Sequence, residues 1–248
     1  MATLRDRLRG LFSDKEFDAD VRGTYFTLRL WLAAIGIFLP IILVGWGLTH
    51  GIASSAMTSI SAFHWLPCTT DCNCNAPLRD VLCGSQCTIG ICLIIYRGYG
   101  RLENWLLKLA GVAVTVVALD PIACPLNEEA ALSAHTIATK VFFLLMALTI
   151  WLCAGNTLHR DLPHTVRSCW RRIYDGFAIA MALAPFLPHI FARASQRTIW
   201  IEAISGWVFS LYWLVKTIEL SRVSKVEPRG EPPPKLEWDN GELKIVSS

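Results

Sequence analysis

Several ionisable side chains lie at or just inside the ends of long apolar segments, where charged groups are uncommon. Five of them fall near one predicted side of these segments: Asp80, Asp120, His135, Lys140 and Glu202. A charge inside a bilayer costs roughly 2.5–3.5 kcal/mol on insertion scales, so such groups normally pair or line a cavity. We therefore expect these five residues to form a shared polar pocket that binds a ligand.

Lys140 is the deepest of these groups, because its ammonium would need to cover roughly 8 Å to leave the apolar region. We expect it to pair with Asp120 or Glu202, which enter from the same side on other segments. The alternative is that the ionisable groups only cap helix ends and pair structurally. We expect His64 and His189 to have only this structural role.

Two serines in the first loop could add catalysis to this pocket. Either Ser59 or Ser61 would become a nucleophile if His135 served as its base and Asp120 or Glu202 oriented the base. Mixed histidine and carboxylate ligands also suit zinc, but the chain contains no His-x-x-x-His spacing. The sequence therefore predicts no metal site and no cofactor.

Four of the nine cysteines fall in predicted outer loops, namely Cys68, Cys72, Cys74 and Cys124. An even number of cysteines in an oxidising compartment is typical of disulfides. We expect at least one bond, joining Cys124 to one of the three cysteines in the first loop. The close spacing of those three leaves metal binding open as an alternative.

The elements that must position these residues are long and apolar. The chain is 53% hydrophobic and 17% charged, with a mean hydropathy of +0.42, whereas soluble domains average about 25% charged residues. Six apolar segments approach the roughly 20 residues that a membrane-spanning helix needs. They cover residues 25–48, 78–96, 105–122, 135–154, 173–191 and 198–216. The predicted fold is all-α, a six-helix transmembrane bundle.

The second segment is the least apolar, and its small residues explain how it can still pack. Gly84, Cys87, Thr88 and Gly90 lie along it. Small side chains let helix backbones approach closely inside a membrane, where packing drives association. We therefore expect this segment to be a span that contacts a neighbouring helix at short distance.

The distribution of basic residues predicts the orientation. Of the 23 Lys and Arg residues, 18 lie in the terminal segments and in the loops after the second and fourth spans, whereas three lie in the opposite loops. Basic residues collect on the cytoplasmic side of membrane proteins. We expect a multi-pass protein of the cell membrane with both termini cytoplasmic. Its parts are a basic amphipathic leader (1–24), the transmembrane domain (25–217) and a cytoplasmic tail (218–248).

The tail also carries a turn signal. Asn240 and Gly241 separate two short stretches in which apolar and polar residues alternate. An Asn-Gly pair in this setting is the strongest short-range indication of a β-hairpin. The sequence therefore predicts a hairpin at the end of an otherwise polar segment.

Several short motifs add a family resemblance. They are Ser59-Ile60-Ser61-Ala62-Phe63, Leu78-Arg79-Asp80-Val81, Tyr96-Arg97-Gly98-Tyr99, Leu109-Ala110-Gly111 and Ala118-Leu119-Asp120-Pro121, with Phe142-Phe143 and the run from Glu202 to Lys216. With these motifs, residues 25–217 resemble a group of uncharacterised bacterial membrane proteins. That group is more remotely similar to the DRAM autophagy modulators and GPI-anchor remodelling factors. The resemblance implies six helices and an association with lipid handling, without an accepted catalytic mechanism.

These observations lead to three functional hypotheses. The first is a protein that binds lipid or another small molecule through an outer-leaflet polar pocket. The second is a membrane-embedded lipid hydrolase or acyltransferase that uses the serine, histidine and carboxylate groups. The third is a proton- or ion-coupled carrier that uses Lys140. Membrane lipid is the expected partner in the first two, nucleic acid is not expected, and the oligomeric state is left open.

Overall fold

The computed structural model describes residues 14–66, 77–120, 133–157, 164–184, 186–226, 235–239 and 242–246. Its helices run along the chain as follows: α1 Asp14–Thr49, α2 Pro77–Ile95, α3 Arg101–Leu119, α4 Ala134–Cys153, α5 His164–Leu183, α6 Pro188–Phe191 and α7 Arg197–Val226. The most extensive helix–helix contacts are between α2 and α3, between α3 and α4, and between the first and last long helices, α1 and α7. The result is an up-and-down helical bundle.

Five of the described helices are long and apolar enough to cross a membrane, namely α1, α2, α3, α4 and α7. Their outward surfaces carry large exposed apolar side chains, such as Leu119 at 72% and Trp151 at 67% exposure. A soluble protein rarely exposes so much contiguous apolar surface. The structure therefore supports a membrane protein.

The fifth predicted span, residues 173–191, has no single helix of its own. Its first part belongs to α5, whose first twelve residues carry Arg167, Arg171, Arg172 and Asp175. The helix ends at Leu183, and the four-residue α6 and a 3₁₀ turn at Ala194–Gln196 follow before α7. Because of these four charged residues, the composition of α5 does not mark it as a span, although it is long enough.

Close helix contacts explain how the bundle packs. A Cβ atom at Gly111 in α3 would lie 2.6 Å from the backbone carbonyl oxygen of Gly90 in α2, so no larger residue fits there. Gly36 in α1 is equally confined, against the Ser210 hydroxyl of α7. These contacts bring the helix axes together without large side chains between them. The expected close approach at Gly90 is confirmed, whereas Gly84 faces open space.

The tail contains the only strands among the described residues. β1 (Lys235–Asp239) pairs antiparallel with β2 (Glu242–Val246), and Asp239 is opposite Glu242. This register leaves two residues for the turn, as a two-residue hairpin requires. The predicted hairpin is therefore confirmed, although Asn240 and Gly241 themselves lie outside the described residues.

Candidate functional site

The loop after α1 brings Ser61 to the bundle. The chain reverses at Gly51, which adopts a positive φ of 75°, and a 3₁₀ turn follows at Ser61–His64. The Ser59 hydroxyl accepts a hydrogen bond from the Ala62 N–H at 2.9 Å and so caps this turn. Ser59 is therefore occupied in holding the loop, and Ser61 is the serine that faces the other predicted groups.

His135 lies in the first turn of α4 and is fixed by Asp120 at the end of α3. The His135 N–H donates to Asp120 Oδ2 at 2.9 Å, and His135 Nδ1 lies 2.7 Å from the Asp120 backbone oxygen. Because a carbonyl oxygen can only accept, Nδ1 carries a proton. His135 Nε2 then faces the Ser61 hydroxyl at 2.9 Å. Asp120 thus orients the imidazole through its backbone carbonyl rather than its carboxylate.

Glu202 enters the same place from α7. Its Oε2 accepts the Ile60 N–H at 2.5 Å, and its Oε1 lies 3.3 Å from Ser61 Oγ. The loop, α4 and α7 are therefore joined by one hydrogen-bonded group, which we call the Ser61 site: Ser61, Asp120, His135 and Glu202.

The Ser61 hydroxyl has one proton and two neighbours that can accept it. When it donates to His135 Nε2, the imidazole is neutral and the serine is arranged for general-base activation. When it donates to Glu202, Nε2 must carry a proton of its own in order to donate to Ser61 Oγ. The two arrangements contain the same number of protons when Glu202 is protonated in the first and ionised in the second, so one proton can be held at either end of the site with the same heavy-atom positions.

A cavity of about 100 Å³ begins at Ser61 and Glu202. All five candidate spans contribute to its walls, and most of the lining is apolar, including Ile89, Phe142 and Phe209. Its remaining polar side chains are Gln86 and Thr139, and the Thr139 hydroxyl is already bonded to the His135 backbone oxygen. The cavity therefore has a polar end and an apolar body.

The structure does not bring Lys140 into this site. Within the part of the chain that is described, Lys140 makes no ion pair with Asp120 or Glu202, and its side chain is exposed. The reason is the helical period, because His135, Ala138 and Phe142 form the buried face of α4 while Lys140 points away from it. The expected pairing of Lys140 with Asp120 or Glu202 is therefore wrong, and the hypothesis of a proton- or ion-coupled carrier loses its main support.

Asp80 and the two other histidines also lie outside the site. The exposed Asp80 carboxylate is 3.8 Å from Arg79, and His189 is exposed. His64 Nδ1 lies 3.5 Å from Cys83 Sγ, and burial, followed by the charge of Arg79, lowers its pKa from the usual value. Of the predicted ligand-binding residues, the structure therefore assembles Asp120, His135 and Glu202.

Cys68, Cys72, Cys74 and Cys124 lie outside the described residues, so the disulfide between the loops stays a prediction. Across the described ranges, no three His, Cys, Asp or Glu side chains are grouped closely enough to hold a metal ion.

A second buried polar group lies at the opposite end of α7, and the sequence analysis did not single it out. Lys216 Nζ donates to the Ala154 backbone oxygen at 2.8 Å and lies 3.4 Å from Glu219 Oε2, while the Tyr174 hydroxyl donates to Glu219. We call these residues the Lys216 cluster: Ala154, Tyr174, Lys216 and Glu219. Lys216 and Glu219 are three residues apart inside an apolar helix, and that spacing was the available signal.

No family model, curated protein or solved structure matches this chain. The family resemblance of the motifs therefore stays a prediction.

Proposed function

We propose that the chain spans the membrane six times, with α5 and α6 together forming the additional crossing and both termini in the cytoplasm. The five apolar helices and the charge distribution support this arrangement. The apolar stretch from Ile173 to Phe191 supplies the fifth crossing along the chain, with a break between its two helices. Backbone N–H groups at the break stay paired within turns, as those of Phe186 and Leu187 do with the Leu183 oxygen, which is what a lipid environment requires.

Reporter fusions test this topology. A fusion after Cys124 is expected to be external and a fusion after Arg160 cytoplasmic. A further fusion after Arg193 is expected to be external, because it follows the fifth crossing. A cytoplasmic signal after Arg193, together with a cytoplasmic signal after Arg160, would leave five crossings and contradict the proposal.

We propose that the Ser61 site binds the acyl part of a membrane lipid, at the outer end of the bundle. The observation that carries the proposal is the cavity, because it is apolar along its walls and polar only at Ser61, Gln86, Thr139 and Glu202. Ligand sites usually combine apolar walls with a few convergent polar groups. A carboxyl or ester group fits the polar end, where the Gln86 amide can donate a hydrogen bond to it.

A cavity-filling variant tests this binding. Gly206 lines the cavity, and a Cβ at this position would meet only the Gly36 carbonyl oxygen, at 3.9 Å. Gly206→Leu is therefore expected to fill the cavity and reduce the affinity for a fluorescent fatty acid about tenfold, or about 1.4 kcal/mol. Gly84→Leu is the matched control, because Gly84 also lies in a span and faces open space away from the cavity.

The fatty-acid measurement has a clear contrary outcome. If Gly206→Leu and Gly84→Leu bind the fluorescent fatty acid equally well, and both keep the thermal stability of the parent protein, the cavity is not the binding site. Ser61→Ala gives an independent check, since it removes a polar contact while leaving the cavity volume almost unchanged.

Acyl transfer is a second candidate function, and the 2.9 Å contact between Ser61 Oγ and His135 Nε2 favours it. In the reaction, Ser61 Oγ bonds to the carbonyl carbon of a lipid ester and its proton passes to His135 Nε2. The ester C–O bond then breaks, and the leaving alcohol takes that proton. Water or another alcohol next attacks the acyl-serine, with His135 again accepting and returning the proton.

An alkyl fluorophosphonate distinguishes the two candidates. This reagent bonds to an activated serine with loss of fluoride, so acyl-transfer chemistry predicts labelling at Ser61. The labelling is expected to disappear in Ser61→Ala and to fall at least about a hundredfold in His135→Gln, the scale of general-base catalysis. Absence of labelling in the folded parent protein, with fatty-acid binding intact, would leave binding as the function.

A further inference from the structure

A second and larger apolar space lies between α1 and α7, near the same end of the bundle as the Ser61 site. It has a volume of about 420 Å³, which falls within the roughly 300–1,000 Å³ usual for ligand sites. Its walls include Ile41, Gly45 and Leu48 from α1, and Trp200 and Ala203 from α7. We call this space the α1–α7 groove.

The groove has a structural cause. Gly36 of α1 packs against Ser210 and the backbone of Gly206 of α7, so the two helices touch closely in their middle. Farther along, Pro40 lies inside α1, where its ring removes one helical hydrogen bond and favours a bend. The helices then leave a gap, and Trp207, which donates to the Ile37 backbone oxygen at 3.2 Å, closes its lower end.

The surroundings indicate what fills the gap. Both walls belong to candidate membrane-spanning helices, so the medium outside the groove is hydrocarbon rather than water. Ile41 and Leu48 are 52% and 56% exposed along its rim. At the groove's end, Gln196 Nε2 donates to the Ser54 backbone oxygen at 3.2 Å, which leaves its second amide hydrogen for a ligand.

We propose that the α1–α7 groove binds one acyl chain of a membrane phospholipid, with the ester end of that chain beside Gln196 and Ser54. The wall from Pro40 to Leu48 is about 12 Å long at 1.5 Å per helical residue, enough for an extended part of a chain. The inference goes beyond the proposed function, because the groove and the Ser61 cavity are separate spaces that share only Pro40 as a lining residue.

Photolabelling in phosphatidylcholine vesicles tests the proposal. The probe is a phosphatidylcholine with a diazirine on one acyl chain, and the labelled peptides are identified by mass spectrometry. We expect labels to concentrate on the α1 and α7 peptides that line the groove. Gly45→Leu should reduce this labelling about tenfold, or about 1.4 kcal/mol of binding, because Gly45 lines the groove and has open space around it.

The controls separate this site from general lipid contact and from the Ser61 site. Gly84→Leu should leave groove labelling unchanged, since it places the same side chain on the open face of α2. Ser61→Ala should also leave it unchanged, so a failure of the Ser61 proposal would not affect this result. If Gly45→Leu folds poorly, Ile41→Trp fills the groove from its exposed rim instead.

Three results would overturn the proposal. Labels spread evenly over exposed apolar residues of α3 and α4, such as Leu109 and Leu144, would mean that lipid only surrounds the bundle. If the groove peptides are still labelled in both Gly45→Leu and Ile41→Trp, lipid likewise only surrounds the bundle. Cross-links between two copies of the chain at Ile41 or Trp200 would instead identify the occupant as a second copy.

Discussion

The two ends of α7 each hold a buried polar group, and the two groups differ in what surrounds them. The Ser61 site borders a cavity, and its central hydroxyl has two possible proton acceptors. The Lys216 cluster is enclosed by aromatic side chains, with the Lys216 ammonium 4.7 Å above the Tyr174 ring and with Tyr212 and Trp213 fully buried beside it.

The difference lies in what each group borders, because the four residues of the Lys216 cluster are at most 3% exposed and pack against protein, whereas the Ser61 site opens on a cavity. In the Lys216 cluster the ammonium meets a backbone carbonyl, a carboxylate and a ring face, and the carboxylate also receives the Tyr174 hydroxyl. Fully satisfied buried networks make a core rigid and unique. The Ser61 site reaches a space that its own residues do not fill. We infer that the first group stabilises the fold and the second acts on a ligand.

The largest expected effect on stability is at Lys216. Lys216→Ala would leave the Glu219 carboxylate buried at 0% exposure without its cation, and breaking a buried pair in this way costs about 3–5 kcal/mol. Thermal unfolding in detergent micelles measures the loss. The double variant Lys216→Met with Glu219→Gln should cost less than the sum of the two single changes. A loss below about 1 kcal/mol for Lys216→Ala would remove the structural interpretation.

Glu202 is expected to have a smaller effect on stability. Glu202→Ala removes the acceptor of the Ile60 backbone N–H group, and an unsatisfied buried donor costs about 1–3 kcal/mol. Glu202→Gln keeps one carbonyl oxygen and should cost less, although it abolishes the proton arrangement in which Glu202 is the anion. Equal stability of the alanine and glutamine variants would mean that these hydrogen bonds do not hold the loop.

The Ser61→Ala variant should distinguish most clearly between an effect on stability and an effect on ligand binding. Ser61→Ala removes one hydroxyl and is expected to cost about 0.5–1.5 kcal/mol of stability, the usual net value of a hydrogen bond. The same variant should weaken fatty-acid binding, whereas Lys216→Met at the other end of α7 should not. Isothermal titration of both variants against one fatty acid makes the comparison. Weaker binding in Lys216→Met alone would reverse the roles that we assign to the two ends.

The sequence predicted the helical architecture and part of the site because both depend on local pattern. Apolar length predicted six spans, of which five are helices long and apolar enough to cross a membrane. The positions of Asp120, His135 and Glu202 near helix ends on one predicted side indicated that they would lie close together. Which serine faces His135 was not predictable, because the 3₁₀ turn decides it by using Ser59 as its cap. The role of the Asp120 backbone oxygen was also hidden, since a carbonyl has no sequence signature.

Lys216 and Lys140 show two opposite errors, which arise when the burial of a charged residue is predicted only from its depth in an apolar segment. Lys216 is the last residue of the sixth predicted span, which predicts an interfacial position, yet the packing of Tyr174 from α5 buries it. Lys140 lies deeper in its segment, yet its face of α4 is exposed. The rotational position of a side chain on its helix, which follows from tertiary packing, decided both cases.

Lys140 therefore gives the smallest expected effect. Because its side chain is exposed and has no ion pair in the described structure, Lys140→Ala should leave the Ser61 site intact and should not destabilise the protein, since no buried carboxylate loses its cation. Thermal unfolding and fatty-acid binding of Lys140→Ala, measured beside Lys216→Ala, make the test. A loss comparable to that of Lys216→Ala would mean that Lys140 does pair with a buried carboxylate, and it would restore the proton- or ion-coupled carrier as a candidate function.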